Sequence, residues 1–134
     1  MSREILFRGY TGRNWQYGYL IDKEAIRNFD KNGLPISTYR VIKETIGQFT
    51  GLTDNNGTKI FEGDIVKVYS DCDGYYAKKQ YLNGVILFDE VYFFEYEISF
   101  NHIRNCCEEN IGNHRDNIEV IGNIYDNPEL LKED

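Results

Sequence analysis

Between Gln48 and Val66 the chain reads QFTGLTDNNGTKIFEGDIV, and this stretch constrains the fold more than any other. Asp54-Asn55-Asn56-Gly57 lies between two apolar runs. An Asp that can accept backbone N–H bonds, followed by an Asn-Gly pair that tolerates positive φ, is a strong short-range hairpin signal. A few residues on, Glu62-Gly63-Asp64 interrupts what would otherwise be one strand. Gly63 marks a bend or a close backbone approach, and Asp64 can lock that bend by accepting nearby N–H groups. Gly51 and Gly57 are expected where the backbone needs positive φ. Both punctuation marks shape the backbone, and neither supplies a nucleophile, a metal cage or a phosphate cradle.

A chain of 134 residues has room for one principal core with at most a small appended subdomain. Its hydrophobic residues, 41% of the total, are spread along the sequence, as in a folded globular protein. No run approaches the roughly 20 consecutive apolar residues of a membrane helix, and the opening residues lead into a strand pattern, so a soluble cytoplasmic protein is expected. Cys72, Cys106 and Cys107 are odd in number and two are adjacent, a poor disulfide framework that fits reduced thiols. The net charge of −7 repels phosphate backbones and anionic lipids. Lys78-Lys79 and the cations from Arg40 to Lys43 are too small and separated to make a basic track.

Period-two alternation recurs along the chain. Ile5 to Tyr10, the turn Thr11-Gly12-Arg13-Asn14, and Trp15 to Ile21 read as a β-hairpin. Trp15, Tyr17, Tyr19 and Ile21 share one face of the return strand, and this aromatic face is expected to be buried. Asp22 can cap a short helix with Ala25, Ile26 and Phe29 on one side, ending before Asp30-Lys31-Asn32-Gly33. From Tyr39 to Phe49 the signals divide: Tyr39, Val41, Thr45 and Phe49 favour strand, whereas Lys43-Glu44 suits a helix. Strands follow at Ile65 to Tyr69 and Val85 to Phe88. Next comes an alternating segment with Phe94, Tyr96, Ile98 and Phe100 inward and Glu95, Glu97 and Ser99 outward. Asn101 to Asn117 is weakly patterned, and Ile118 to Tyr125 is the last strand. Asn127, Pro128 and Glu129 mark a final helix start, with Leu130 and Leu131 able to pin it to the core. Many short strands and one or two short helices predict an all-β fold, with a small closed barrel as the expected way to remove exposed sheet edges.

Gln48-Phe49-Thr50-Gly51-Leu52, Asn56-Gly57, Ile60-Phe61-Glu62-Gly63-Asp64-Ile65-Val66 and the run from Val120 to Leu131, VIGNIYDNPELL, are together similar to the signature of the YopX family. Arg3 to Arg8 and Tyr17-Gly18-Tyr19-Leu20 resemble the family's start, so the likeness spans nearly the whole chain. The sequence departs from the pattern at Lys43, where a proline is common, and in the stretches Asp71 to Leu82 and Asn101 to Asn117. The resemblance implies a protein encoded by a bacteriophage or prophage. It also implies an SH3-type small barrel over residues 48–134, with a C-terminal helical turn, preceded by a β-hairpin subdomain with a short helix over residues 1–47. It implies no established activity, cofactor or catalytic residue.

Each constellation that could carry chemistry has a simpler structural reading. Glu62 and Asp64 would share a strand face as an acid–base pair, but Gly63 breaks the regularity between them. Glu95 and Glu97 lie opposite aromatic neighbours, which makes theirs the solvent face. His102, Cys106, Cys107 and His114 offer zinc-type ligands in no standard spacing. Asp71, Asp73 and Gly74 begin like a calcium loop, but Gln80 replaces the terminal acid. Gly9-Tyr10-Thr11-Gly12 with Arg13 has the form of a nucleic-acid clamp, yet here it is a hairpin turn. Asn56-Gly57-Thr58 matches a glycosylation sequon by chance. No catalytic, cofactor-binding or metal-binding residue is therefore assigned.

The aromatic load remains. Tyr75, Tyr76, Tyr81, Tyr92 and Phe93 lie at loops and strand ends, where they either cover the core or form an interaction surface. The expected role is a non-catalytic module that contacts other proteins, a host or phage protein and further copies of itself forming a homo-oligomer. The alternative is a single-stranded nucleic-acid binder that uses aromatic strand faces.

Overall fold

The computed structural model describes residues 5–70, 80–89, 95–100, 108–110 and 117–132. β-Branched and aromatic residues dominate these segments, and they form an all-β fold with no α-helix among the described residues. The strands are β1 (Phe7–Tyr10), β2 (Trp15–Asp22), β3 (Ala25–Phe29), β4 (Pro35–Arg40), β5 (Gly47–Thr53), β6 (Lys59–Phe61), β7 (Asp64–Ser70), β8 (Gln80–Asp89), β9 (Glu95–Ser99), β10 (Glu108–Asn110) and β11 (Ile118–Asn123). They make two antiparallel sheets, ordered β4-β3-β2-β1-β5-β6 and β10-β9-β8-β7-β11. No described pairing joins β10 to β11, so the second sheet is not closed into a ring among the described residues. The chain divides into two compact units, Met1–Gly51 and Leu52–Asp134, with the division falling inside β5.

In the first unit the expected hairpin is present, with Phe7 opposite Gly18 and Tyr10 opposite Trp15. Thr11 Oγ1 closes its turn by accepting the N–H groups of Arg13 and Asn14. The expected burial of its aromatic face is reversed: Tyr17, Tyr19 and Ile21 are exposed, and Gly18 between them is buried. The reason is steric. A Cβ at Gly18 would stand 2.1 Å from the carbonyl oxygen of Arg27, and one at Gly9 would stand 2.8 Å from Val41 Cγ2. The backbone of β3 closes over Gly18 and Val41 over Gly9, so the glycine face is the covered one and Tyr17, Tyr19 and Ile21 are left on the outer face.

The short helix expected at Ala25–Phe29 is instead strand β3, paired with β2 on one side and β4 on the other. Asp22 does accept a backbone N–H, from Glu24 at 2.7 Å, but it closes a two-residue turn between strands. The same local bond can open a helix or tighten a turn, and the two neighbouring strands decide the outcome here. The divided segment after Tyr39 resolves into the end of β4, a 3-10 turn at Lys43–Thr45, and β5. Thr45 fastens that turn to β1: its Oγ1 accepts the Tyr10 N–H at 2.8 Å and donates to the Ile42 carbonyl at 2.6 Å.

The second unit is a meander, β7 to β10, with β11 added on the other side of β7. Its core is built by alternation, from Val66 and Val68 on β7, Ile86 on β8, Tyr96 and Ile98 on β9, and Ile60, Phe100 and Ile118. Tyr96, Ile98 and Phe100 are buried on the expected face, and Phe94 lies outside the described residues. β6 and β7 are joined by only Glu62 and Gly63 yet belong to different sheets, so the chain turns a sharp corner there. Gly63 takes φ +91°, its N–H donates to Ile86 and its carbonyl accepts from Ile124. Asp64, buried, accepts the Phe61 N–H at 2.7 Å across that corner, the lock its position predicts.

At the C-terminal end Pro128–Leu131 is a single 3-10 turn. Asn127 does not cap it with its side chain; Asn127 Oδ1 instead accepts the Asn123 N–H, over Gly122. Leu130 and Leu131 are half-buried, and the Leu130 carbonyl accepts from Asn83 Nδ2 on β8.

Two turns share one construction. In Asp30–Leu34, between β3 and β4, the Asp30 N–H donates to the Leu34 carbonyl and the Gly33 N–H to the Asp30 carbonyl. Asp30 Oδ1 accepts from Asn32 at 2.8 Å and Leu34 at 2.9 Å. In Asp54–Thr58, between β5 and β6, the same four bonds recur with Thr58 in place of Leu34, and Asp54 Oδ1 accepts from Asn56 and Thr58 at 2.9 Å each. Gly33 and Gly57 both take φ +82°, the left-handed bend that follows a type I turn in this hairpin class.

Candidate functional site

Two exposed aromatic faces stand out among the described residues, one in each unit. In the first, the cross-strand register puts Tyr10 and Arg8 of β1, Trp15, Tyr17 and Tyr19 of β2, and Arg27 of β3 on one side of the sheet. Tyr19 meets Phe29 edge-on at 5.0 Å, Tyr10 meets Trp15 at 5.4 Å, and the Arg8 guanidinium lies 4.9 Å from the Trp15 ring centre. These contacts orient the rings of Tyr19, Phe29, Tyr10 and Trp15, and Tyr17 and Tyr19 are 46% and 51% exposed. β4 lies at the edge of this sheet and exposes Ile36.

In the second unit the outer face of β7 and β8 carries Tyr69 opposite Tyr81 and Lys67 opposite Asn83. The two tyrosine rings are 5.2 Å apart, and Lys67 Nζ sits 5.5 Å from the Tyr81 ring centre. Tyr81 is 68% exposed, the most of any large apolar side chain described. Leu87, further along β8, is also exposed.

Of the five residues singled out for an interaction surface, the described structure places only Tyr81; Tyr75, Tyr76, Tyr92 and Phe93 lie outside the described residues. Sequence reasoning missed Tyr69, which pairs with Tyr81, and the entire Tyr17–Tyr19 face. The signal for the latter was available: Gly9 and Gly18 on the opposite face mark where the neighbouring chain approaches closely and covers the sheet.

Glu62 and Asp64 stand at the corner between β6 and β7. Asp64 is buried and bonded into its corner, while Glu62 is half-buried in the turn. Glu97 lies opposite Leu87 on the outer side of β8 and β9, as the alternation predicts. Thr11 to Asn14 form the hairpin turn described above, and Asn56-Gly57-Thr58 lies in the second of the paired turns. Asp71, Asp73, Gly74, His102, Cys106, Cys107 and His114 lie outside the described residues. No group of three or more His, Cys, Asp or Glu side chains gathers among the described residues.

One carboxylate is unusual. Asp54, 6% exposed, uses its second oxygen to accept the Val120 N–H at 2.9 Å, while the Asn55 N–H donates to the Ile118 carbonyl and Asn55 Oδ1 accepts from Ile118 at 3.3 Å. Burial pushes the Asp54 pKa up. The N–H groups of Val120, Thr58 and Asn56 pull it down by more, so it ends below its ordinary value. Asp54 is thus a latch between the DNNG turn and β11. The two most distinctive stretches of the sequence are joined by direct hydrogen bonds.

That junction is the structural counterpart of a family likeness, and comparison with known families decides the matter: the family described as YopX protein matches residues 9–132. The chain belongs to the YopX family. Among solved structures, the YopX-family chain is similar to protein EF1440 from Enterococcus faecalis, known from a crystal structure, at 28% identity and a TM-score of 0.58. The likeness covers 98% of this chain and 100% of that one. No curated protein matches. No helix among the described residues is long and apolar enough to cross a membrane.

Proposed function

We propose that this YopX-family protein is a non-catalytic β module, encoded by a phage or prophage, that works through protein contacts including contacts with further copies of itself. The observation that carries this reading is the exposed face of Tyr17 and Tyr19, with the Tyr19 ring oriented by its edge contact with Phe29. Aromatic side chains are enriched at protein interfaces, and a ring already oriented by a neighbour loses less freedom on binding. The Tyr69–Tyr81 pair is a second surface of the same kind. The second unit is read as an SH3-type small barrel. Supporting this are its meander of short strands, the addition of β11 beside β7 and the two-residue corner at Glu62-Gly63.

Light scattering across a concentration series tests the reading. The expected result is an oligomer that the double variant Tyr17→Ser, Tyr19→Ser converts to monomer, with its circular dichroism unchanged. A wild-type protein that stays monomeric throughout contradicts self-association. Lys67 over Tyr81 favours a second reading, the stacking of single-stranded nucleic acid, against a net charge of −7. Gel shifts at low ionic strength decide it, because binding of this kind weakens steeply with salt.

A further inference from the structure

The chain contains three Asn-Gly pairs, at Asn32-Gly33, Asn56-Gly57 and Asn83-Gly84. In such a pair the glycine nitrogen can attack the asparagine side-chain carbonyl carbon, because no Cβ on the glycine hinders the approach. The new C–N bond closes a succinimide ring, the bond to Nδ2 breaks, and ammonia leaves. Water then opens the ring at either carbonyl, giving aspartate or isoaspartate. The net change consumes one water and releases one ammonia, with no oxidant or cofactor.

The dipeptides are identical, so differences in rate must come from the fold. At all three the glycine N–H is held back: Gly33 donates to the Asp30 carbonyl at 3.0 Å, Gly57 to the Asp54 carbonyl at 3.1 Å, and Gly84 lies within the β7–β8 ladder opposite Val66. Reaction therefore proceeds through local opening, and its rate follows the population of the opened form. Opening Asp30–Leu34 breaks bonds that all lie within the turn and at the surface. Opening Asp54–Thr58 must also break Asp54 Oδ2 from Val120 and Asn55 from both backbone groups of Ile118. Asn83 donates to the Leu130 carbonyl, and Gly84 is buried against the side chains of Ile98 and Phe100, so its release requires loss of the core sheet.

We propose that Asn32 is a site of spontaneous, non-enzymatic conversion to aspartate and isoaspartate in the folded protein, while Asn56 and Asn83 are protected by the latch and by the core. Conversion at Asn32 adds a carboxylate next to Asp30 at the β3–β4 tip. The isoaspartate product also lengthens the backbone by one carbon inside a turn whose register depends on Gly33.

The test is to incubate the full chain at mildly alkaline pH, digest samples over time, and follow each pair by peptide mass and by enzymatic isoaspartate methylation. The chain held unfolded in urea provides the reference. The expected order in the folded protein is Asn32 first, Asn56 slower by about tenfold or more, and Asn83 slowest, against comparable rates for all three when unfolded. Asp54→Asn should bring the Asn56 rate toward that of Asn32. The proposal is overturned if Asn56 or Asn83 converts as fast as Asn32 in the folded protein. It is equally overturned if Asn32 stays intact over the time the unfolded reference needs to convert.

Discussion

The turns at Asp30–Leu34 and Asp54–Thr58 share four hydrogen bonds and the same glycine φ, but they differ in what lies beside them. Around Asp30 the bonds end within the turn, and the residues from Lys31 to Ile36 are exposed. Around Asp54 the spare carboxylate oxygen and the neighbouring asparagine reach β11, sixty or more positions away in sequence. A local Asp-x-Asn-Gly code thus closes both hairpins in the same way. It becomes a tertiary latch where the N–H groups of a second strand lie within reach, as those of Ile118 and Val120 do.

Removing the carboxylate should separate the two turns most. Asp54→Ala strands three backbone N–H groups, two in the turn and one on β11, and is expected to cost about 3 kcal/mol. Protection of the Val120 amide in hydrogen exchange reports the loss from the second unit. Acid provides a milder version of the same change. Because the folded Asp54 carboxyl titrates below its ordinary 3.8, its stabilisation is fully present above that pH and is lost as pH falls through the folded value. Below pH 3.8 the stability gap between wild type and Asp54→Asn should therefore narrow, as seen in urea titrations monitored by circular dichroism.

Smaller effects test what the turns have in common. Gly33→Ala and Gly57→Ala place a Cβ at φ +82° with open space around it, so each is expected to cost about 1 kcal/mol, from backbone strain alone. Unequal costs would show that the shared geometry does not set the turn energy. Asp30→Ala removes two surface hydrogen bonds and should cost less still, about 0.5 kcal/mol. Trp15, the only tryptophan in the chain, lies in the first unit and supplies a fluorescence signal for that measurement.

The same comparison explains what could be read from the sequence. The all-β class, the DNNG hairpin, the Asp64 lock and the inward set Tyr96, Ile98 and Phe100 followed from period-two alternation and turn chemistry, which are local. Asp30-Lys31-Asn32-Gly33 carried the same turn signal as Asp54-Asn55-Asn56-Gly57, but the helix reading of Ala25, Ile26 and Phe29 obscured it. Three apolar residues in a five-residue segment fit either period, and only pairing with β2 and β4 selects the strand. The outward aromatic face was misread because alternation shows which residues share a face, not which face is covered. Gly9 and Gly18 held that information in the space they leave to Val41 and Arg27. Of the candidate surface only Tyr81 could be placed, and its partner Tyr69 depended on a cross-strand register that no single strand specifies.

The central claim, that one turn is local and the other latches β11, is tested most directly by the paired substitutions Asp30→Asn and Asp54→Asn at neutral pH. Asparagine keeps an oxygen for the turn's own N–H groups, but at position 54 it turns an NH2 toward the Val120 N–H. Asp30→Asn should leave stability within about 0.5 kcal/mol of wild type, whereas Asp54→Asn should lose about 2 kcal/mol and expose the Val120 amide to exchange. Equal losses from the two substitutions, or a Val120 amide as protected in Asp54→Asn as in wild type, would contradict the account.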